Sequence, residues 1–253
     1  MDDLNNERSC DYLGARYYDS WRGQWGQVDP LADKYPGWSS YNYVMDNPER
    51  NVDPDGSDLT TFIEKDGTVR NINDGSNAVF AATGSGTNLH YEYQGMDITN
   101  TKGSNYINLT TAIQEQQNLN LGNPELQAHD GNTYCNLATQ NILSTVGSAI
   151  DKDINLMGNA NTMANDIKFS SYFKTANPNT ALQNAAIGGL SLVTYENKTG
   201  PHGHIATYSV GINRDKGEIA NIGPKRYTGF VPLNGAISRD KQKEFFIFII
   251  PTN

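Results

Sequence analysis

Residues 190–222 run LSLVTYENKTGPHGHIATYSVGINRDKGEIANI, and this stretch sets the fold class. Three apolar runs, at 190–196, 204–212 and 218–223, carry the β-branched and aromatic residues that suit a pleated sheet. The turn Asn213-Arg214-Asp215-Lys216-Gly217 between the second and third predicts a hairpin. Downstream, KEFFIFIIP at 243–251 predicts one more strand. Upstream the period changes to that of a helix. In NTYCNLATQNILSTVG, residues 132–147, Cys135, Ala138, Ile142 and Val146 recur at helical spacing and mark a buried face. Asn132 and Thr133 are candidate N-caps and Gly147 a candidate stop. Further helices are expected over 161–169 and 180–187, the second lying between Pro178 and Gly188-Gly189. Helices followed by consecutive antiparallel strands give an α+β order.

The earlier part of the chain has a different texture. TTFIEKDGTVRNI, residues 60–72, alternates around Asp66-Gly67 and predicts a hairpin. NDGSNAVFAATGSGTN, residues 73–88, is rich in Gly, Ser and Asn and is expected to be a linker. The segment 58–95 is therefore taken as hairpin plus linker, with the boundary of the C-terminal domain near residue 96. Residues 1–57 are dense in Tyr, Trp, Asp, Pro and Gly, which favours short strands and tight turns over helices.

The balance of charge excludes some functions. The 253 residues carry a formal net charge of −9, and the 19 Lys and Arg are scattered. Binding to nucleic acid depends on clustered basic residues that displace counterions from phosphates. Neither nucleic acid nor an anionic membrane surface is thus expected as a partner. No run of 18 apolar residues exists, so no membrane insertion is expected, and Met-Asp-Asp-Leu-Asn-Asn-Glu does not begin like a signal peptide. Two cysteines, Cys10 and Cys135, are too few for a disulfide framework or a zinc site. Neither a metal nor a cofactor is expected.

Cys135 stands apart because it opens a helix. Cysteine attacks as thiolate, and the first turn of a helix favours the thiolate through its oriented N–H groups and dipole. Of the four histidines, His90, His129, His202 and His204, His204 begins an apolar strand directly after a Gly-rich turn, whereas His202 belongs to the turn. Nucleophile and base are both required, so Cys135 is read as nucleophile and His204 as its base. A third group should accept the other imidazole N–H. Asn221 on the following strand is the first choice, with Glu218 and Asp215 as alternatives. The oxyanion donors would be the Cys135 backbone N–H and a side chain from among Asn132, Tyr134 and His129.

Two resemblances add to this. LGARYYDS at 13–20, QVDPLADKYPGWSSYNYV at 27–44 and NPERNVDPDG at 47–56 resemble the C-terminal end of the core of rearrangement-hotspot (Rhs) repeat proteins. In that family a β shell is followed by a variable toxin or effector domain. CNLATQNIL from Cys135, LQNAAIGGLSLVTYENKTGPHGHIATYSVG at 182–211 and EIANIG at 218–223 resemble the NlpC-type and CHAP-type peptidoglycan hydrolases. In those families a helix-start Cys, a Gly-His opening a strand and a polar residue on the next strand form the site. Cys135, His204 and Asn221 fall on these three positions.

The resemblances imply a papain-like α+β domain over 96–253, preceded by an Rhs remnant over 1–57. They imply a cell-wall amidase or endopeptidase that acts on the peptidoglycan stem peptide. Such a domain would be delivered to the wall or periplasm of a target bacterium, with an immunity protein and the Rhs shell as partners. A protease or deamidase acting on a protein in the target cell, or a non-catalytic interaction domain, are the alternatives.

Overall fold

Alternation along the C-terminal strands builds a sheet that is covered on both faces. The computed structural model describes residues 10–12, 17–27, 39, 41, 59–74, 76–96, 107–127, 133–154, 156–200, 203–210, 217–223 and 228–249. Two units divide the chain: Met1–Phe80 with Gln94–Asn108, and Ala81–Tyr93 with Leu109–Asn253. The architecture is mixed α+β.

In the C-terminal unit the helices are α1 (Leu109–Gly122), α2 (Cys135–Ala149), α3 (Ala160–Asp166), α4 (Pro178–Ala186) and α5 (Leu233–Ala236). The strands are β8 (Phe173–Ala176), β9 (Ser191–Tyr195), β10 (His204–Tyr208), β11 (Glu218–Asn221), β12 (Gly229–Pro232) and β13 (Glu244–Phe248). They pair in the order β12-β11-β10-β9-β13-β8, and every pairing is antiparallel. Side chains alternate between the two faces. Leu192, Ile205 and Phe246 pack with Ile142, Leu143 and Val146 of α2 and Met163 of α3. Val193, Ala206 and Phe245 pack with Ala181 and Ala185 of α4. Each large apolar side chain buried this way contributes about 1.5–3 kcal/mol. The last strand, β13, inserts between β9 and the edge strand β8.

The helix ends follow local chemistry. Asn177 caps α4, accepting from the Thr180 N–H at 2.9 Å, with Pro178 in the first turn. Asn159 caps α3 by accepting from the Thr162 N–H at 3.0 Å. At α2 two expectations are corrected. The N-cap is Tyr134, which supplies no side-chain cap, rather than Asn132 or Thr133. Gly147 lies inside the helix, and the stop is Asp151, with φ 54°. The Lys152 N–H then bonds to Gly147 O at 3.0 Å, the closure of a Schellman motif. A Cβ at Gly147 would sit 2.5 Å from Lys152 O, so glycine serves a close approach there.

The N-terminal unit holds β1 (Cys10–Tyr12), β2 (Tyr17–Asp19) and β3 (Gln24–Trp25), paired in that order. Trp25 is buried and meets Tyr18 edge-on at 5.9 Å. The expected hairpin is β4 (Leu59–Ile63) and β5 (Val69–Asn73). Its turn carries Gly67 at φ 84° and a Thr68 N–H bonded to the Asp66 carboxylate at 2.9 Å. The stretch expected to be a linker instead contains β6 (Ala78–Thr83), because Ala78 and Phe80 are buried and Phe80 stacks on Phe62 at 5.4 Å. Strand β7 (His90–Met96) follows.

Ala81–Tyr93 groups with the C-terminal unit, upstream of the boundary expected near residue 96. Its backbone is bonded to α1, to α2 and to Asn123 just after α1. The Tyr91 N–H donates to Gln116 Oε1 at 2.8 Å and the Tyr93 N–H to Ser148 Oγ at 3.0 Å. Thr87 O accepts from Asn141 at 3.0 Å and Gly86 O from Asn123 at 2.8 Å.

Candidate active site

Cys135 is the first residue of α2, where the leading N–H groups lack intrahelical partners. It is 4% exposed and has a free thiol. Backbone N–H groups of Ile205 and Asn136 donate to its sulfur. His204 opens β10, opposite Tyr195 of β9, and its ring bonds to Cys135.

The far side of the ring is held as well. His204 Nε2 lies 2.6 Å from Asn221 Oδ1. With the amide oxygen accepting, Nε2 carries a proton, and Nδ1 is the ring nitrogen left for Cys135. Strand register explains why Asn221 reaches. Thr207 pairs with Ala220 and Tyr208 with Ile219, so the antiparallel run brings His204, the first residue of β10, beside Asn221, the last residue of β11. Asn221 is 1% exposed.

Burial pushes the Cys135 thiol up, but the His204 charge and hydrogen bond, with the Ile205 and Asn136 N–H groups, bring it below its ordinary value. Burial pushes His204 down, while the charge and hydrogen bond of Cys135 and the Asn221 bond bring it above its ordinary value. The two shifts run in the same sense, each group favouring the charged form of the other, thiolate beside imidazolium. That arrangement suits nucleophilic attack on an acyl carbon followed by protonation of the leaving group.

The structure thus brings together Cys135, His204 and Asn221 of the residues singled out in the sequence. Glu218 lies on β11, yet the imidazole partner is Asn221. Tyr134 is half-buried at the N-cap of α2. Asn132, His129, His202 and Asp215 lie outside the described residues. His90 is remote in role: its Nδ1 meets Asn88 O at 2.9 Å. Among the described residues, no group of three His, Cys, Asp or Glu could hold a metal, and no helix is long and apolar enough to cross a membrane.

Sequence reasoning did not find Ile205 as a donor to the sulfur. Its contribution is a main-chain N–H, which leaves no trace in residue type. Nor did it find Gln117, which lines a small pocket with Cys135, Ala138 and Ile205. Gln117 donates to Thr207 Oγ1 and Tyr208 O, both at 2.8 Å. Its amide N–H groups are therefore committed to β10, and it ties α1 to the strand that carries His204.

No family model matches the chain. Over 57 residues, 22% of its length, it is 40% identical to "Toxin subunit YenC2" of Yersinia entomophaga. That match spans 6% of the toxin subunit, so it links part of the chain to a toxin and reaches no further.

Proposed function

We propose that the C-terminal unit is a cysteine amide hydrolase, with Cys135 as nucleophile, His204 as acid and base, and Asn221 as the group that orients the imidazole. The observation that carries this reading is the continuous chain of contacts from the Cys135 sulfur through the His204 ring to Asn221 Oδ1 at 2.6 Å. The Cys135 thiolate adds to the amide carbon, and the carbonyl electrons move to oxygen. The Cys135 backbone N–H at the helix start is a donor for that oxyanion. As the tetrahedral intermediate collapses, the C–N bond breaks and Nδ1–H of His204 protonates the departing amine. Water, deprotonated by the now neutral imidazole, attacks the thioester and releases acid and thiolate.

The substrate we infer is an amide of the peptidoglycan stem peptide, in a papain-like domain carried at the end of an Rhs-type effector. The link to a toxin subunit supports a toxin role; the wall substrate rests on the NlpC-type and CHAP-type resemblance alone. A net charge of −9 is ill suited to docking on an anionic wall polymer. It favours, as a second reading, an amide in a target-cell protein. Incubation with purified sacculi, followed by identification of released peptides, separates the two. Cleavage of a stem amide by the parent but not by Cys135→Ala is expected, a loss of several orders of magnitude. Cys135→Ala activity within tenfold of the parent would overturn the mechanism. Intact sacculi together with Cys135-dependent cleavage of a protein amide would transfer the mechanism to the second reading.

A further inference from the structure

We propose that Asn161, at the start of α3, is a positioning residue that clamps the β9–β10 loop and thereby sets where His204 stands against Cys135. This rests on the hydrolase reading above. Asn161 spends its amide on the main chain of the loop. Its Nδ2 donates to Asn197 O at 3.2 Å and to Gly200 O at 3.1 Å, and its Oδ1 accepts the Asn197 N–H at 2.9 Å. Both ends of the amide thus grip backbone, so the grip does not depend on the loop's own side chains. A second tie lies nearby: Lys168 Nζ, just past α3, meets Glu196 at 3.9 Å and Glu244 at 2.8 Å.

Gly203, immediately before the histidine, lies against the clamp. A Cβ at Gly203 would fall 2.2 Å from Asn161 Oδ1 and 2.6 Å from Tyr195 O. No side chain fits there, and His204 is the next residue. The backbone of Gly203 is therefore pressed between the clamp and β9, and the adjoining Ile205 supplies an N–H to the Cys135 sulfur. Release of the clamp frees the segment that carries both the imidazole and that donor, whereas Asn161 itself makes no contact with the dyad among its hydrogen bonds.

The test is the pH dependence of Cys135 alkylation by iodoacetamide in the full chain. Cys10 is replaced by Ser throughout so that one thiol reports. Asn161→Ala should keep the fold and move the alkylation profile toward higher pH. Below the thiol pKa, each unit of that rise lowers the rate about tenfold. Asn161→Gln, which keeps both amide functions one methylene further out, should shift the profile less and serves if the alanine variant fails to fold. Asn159→Ala removes the α3 cap without touching the loop; it should lower the melting temperature and leave the profile in place. An unmoved profile in folded Asn161→Ala, or an equal shift in Asn159→Ala, would overturn the clamp while the dyad stands. An ordinary thiol profile in the parent chain would overturn the dyad, and the clamp with it.

Discussion

Burial and His204 pull the Cys135 thiol in opposite directions, and their balance sets the pH range in which the site can work. The thiol is held below its ordinary value by the His204 charge against the effect of burial, and His204 is held above its own by the thiolate. As pH rises through the lowered thiol value the nucleophile forms. Loss of the imidazolium proton, which the neighbouring thiolate delays to higher pH, removes the acid needed by the leaving amine. A bell-shaped profile between the two is expected. His204→Ala removes the opposing charge and leaves burial to act alone. The alkylation rate of Cys135 near pH 6.5 should then fall by at least about tenfold, one unit of pKa. Asn221→Ala removes a hydrogen bond to a charged partner worth ~1.5–3 kcal/mol, about ten- to a hundredfold in hydrolysis rate. It should also lower the imidazole limb of the bell, since Asn221 helps to raise it. An identical bell in Asn221→Ala would remove Asn221 from the site. Cys135 and His204 were legible in the sequence because each begins an element. The Ile205 N–H was not, because every residue but proline has one.

At the scale of elements, α2 shows how a helix can be right in its middle and different at its ends. The apolar spacing from Cys135 to Val146 follows from the geometry of the helix itself. Its stop depends on Asp151 holding φ 54°, a left-handed conformation that costs an L-residue roughly 1–2 kcal/mol, less for Asp. Asp151→Gly should relieve part of that cost, offset by the freedom glycine adds to the unfolded chain, for a net gain of about 0.5–1 kcal/mol. A higher urea midpoint with an unchanged Cys135 alkylation profile is the expected result; a lower midpoint would show that the Asp151 side chain stabilises the turn. Helix α1 was not legible at all. Gln116, Gln117 and Asn120 are buried on it, so the apolar period that reveals a helix is missing. These amides bond to partners distant in sequence, such as Thr207, 90 residues away.

At the scale of the molecule, the segment 81–93 decides where the C-terminal unit can begin. A chain starting at residue 97 lacks Gly86 O, Thr87 O, Leu89 O and the Tyr91 and Tyr93 N–H groups. Buried Asn123, Asn141 and Gln116 then lose partners. Each buried polar group left unsatisfied costs about 1–3 kcal/mol, and the loss of buried Tyr91 adds to this. Together they approach the ~5–15 kcal/mol by which domains are stable. Residues 81–253 should therefore fold cooperatively with a reactive Cys135, whereas 97–253 should not; a cooperative melt of the shorter chain would refute the assignment. The sequence by itself determined the α+β class, the strands around His204 and Asn221, and the helix opened by Cys135, because periodicity and turn chemistry act between near neighbours. Only the tertiary structure decided that β13 inserts between β9 and β8, that 81–93 serves the C-terminal unit, and that a clamp stands behind His204. Those features depend on hydrogen bonds and packing between residues far apart in the chain, for which no local pattern in the sequence is required.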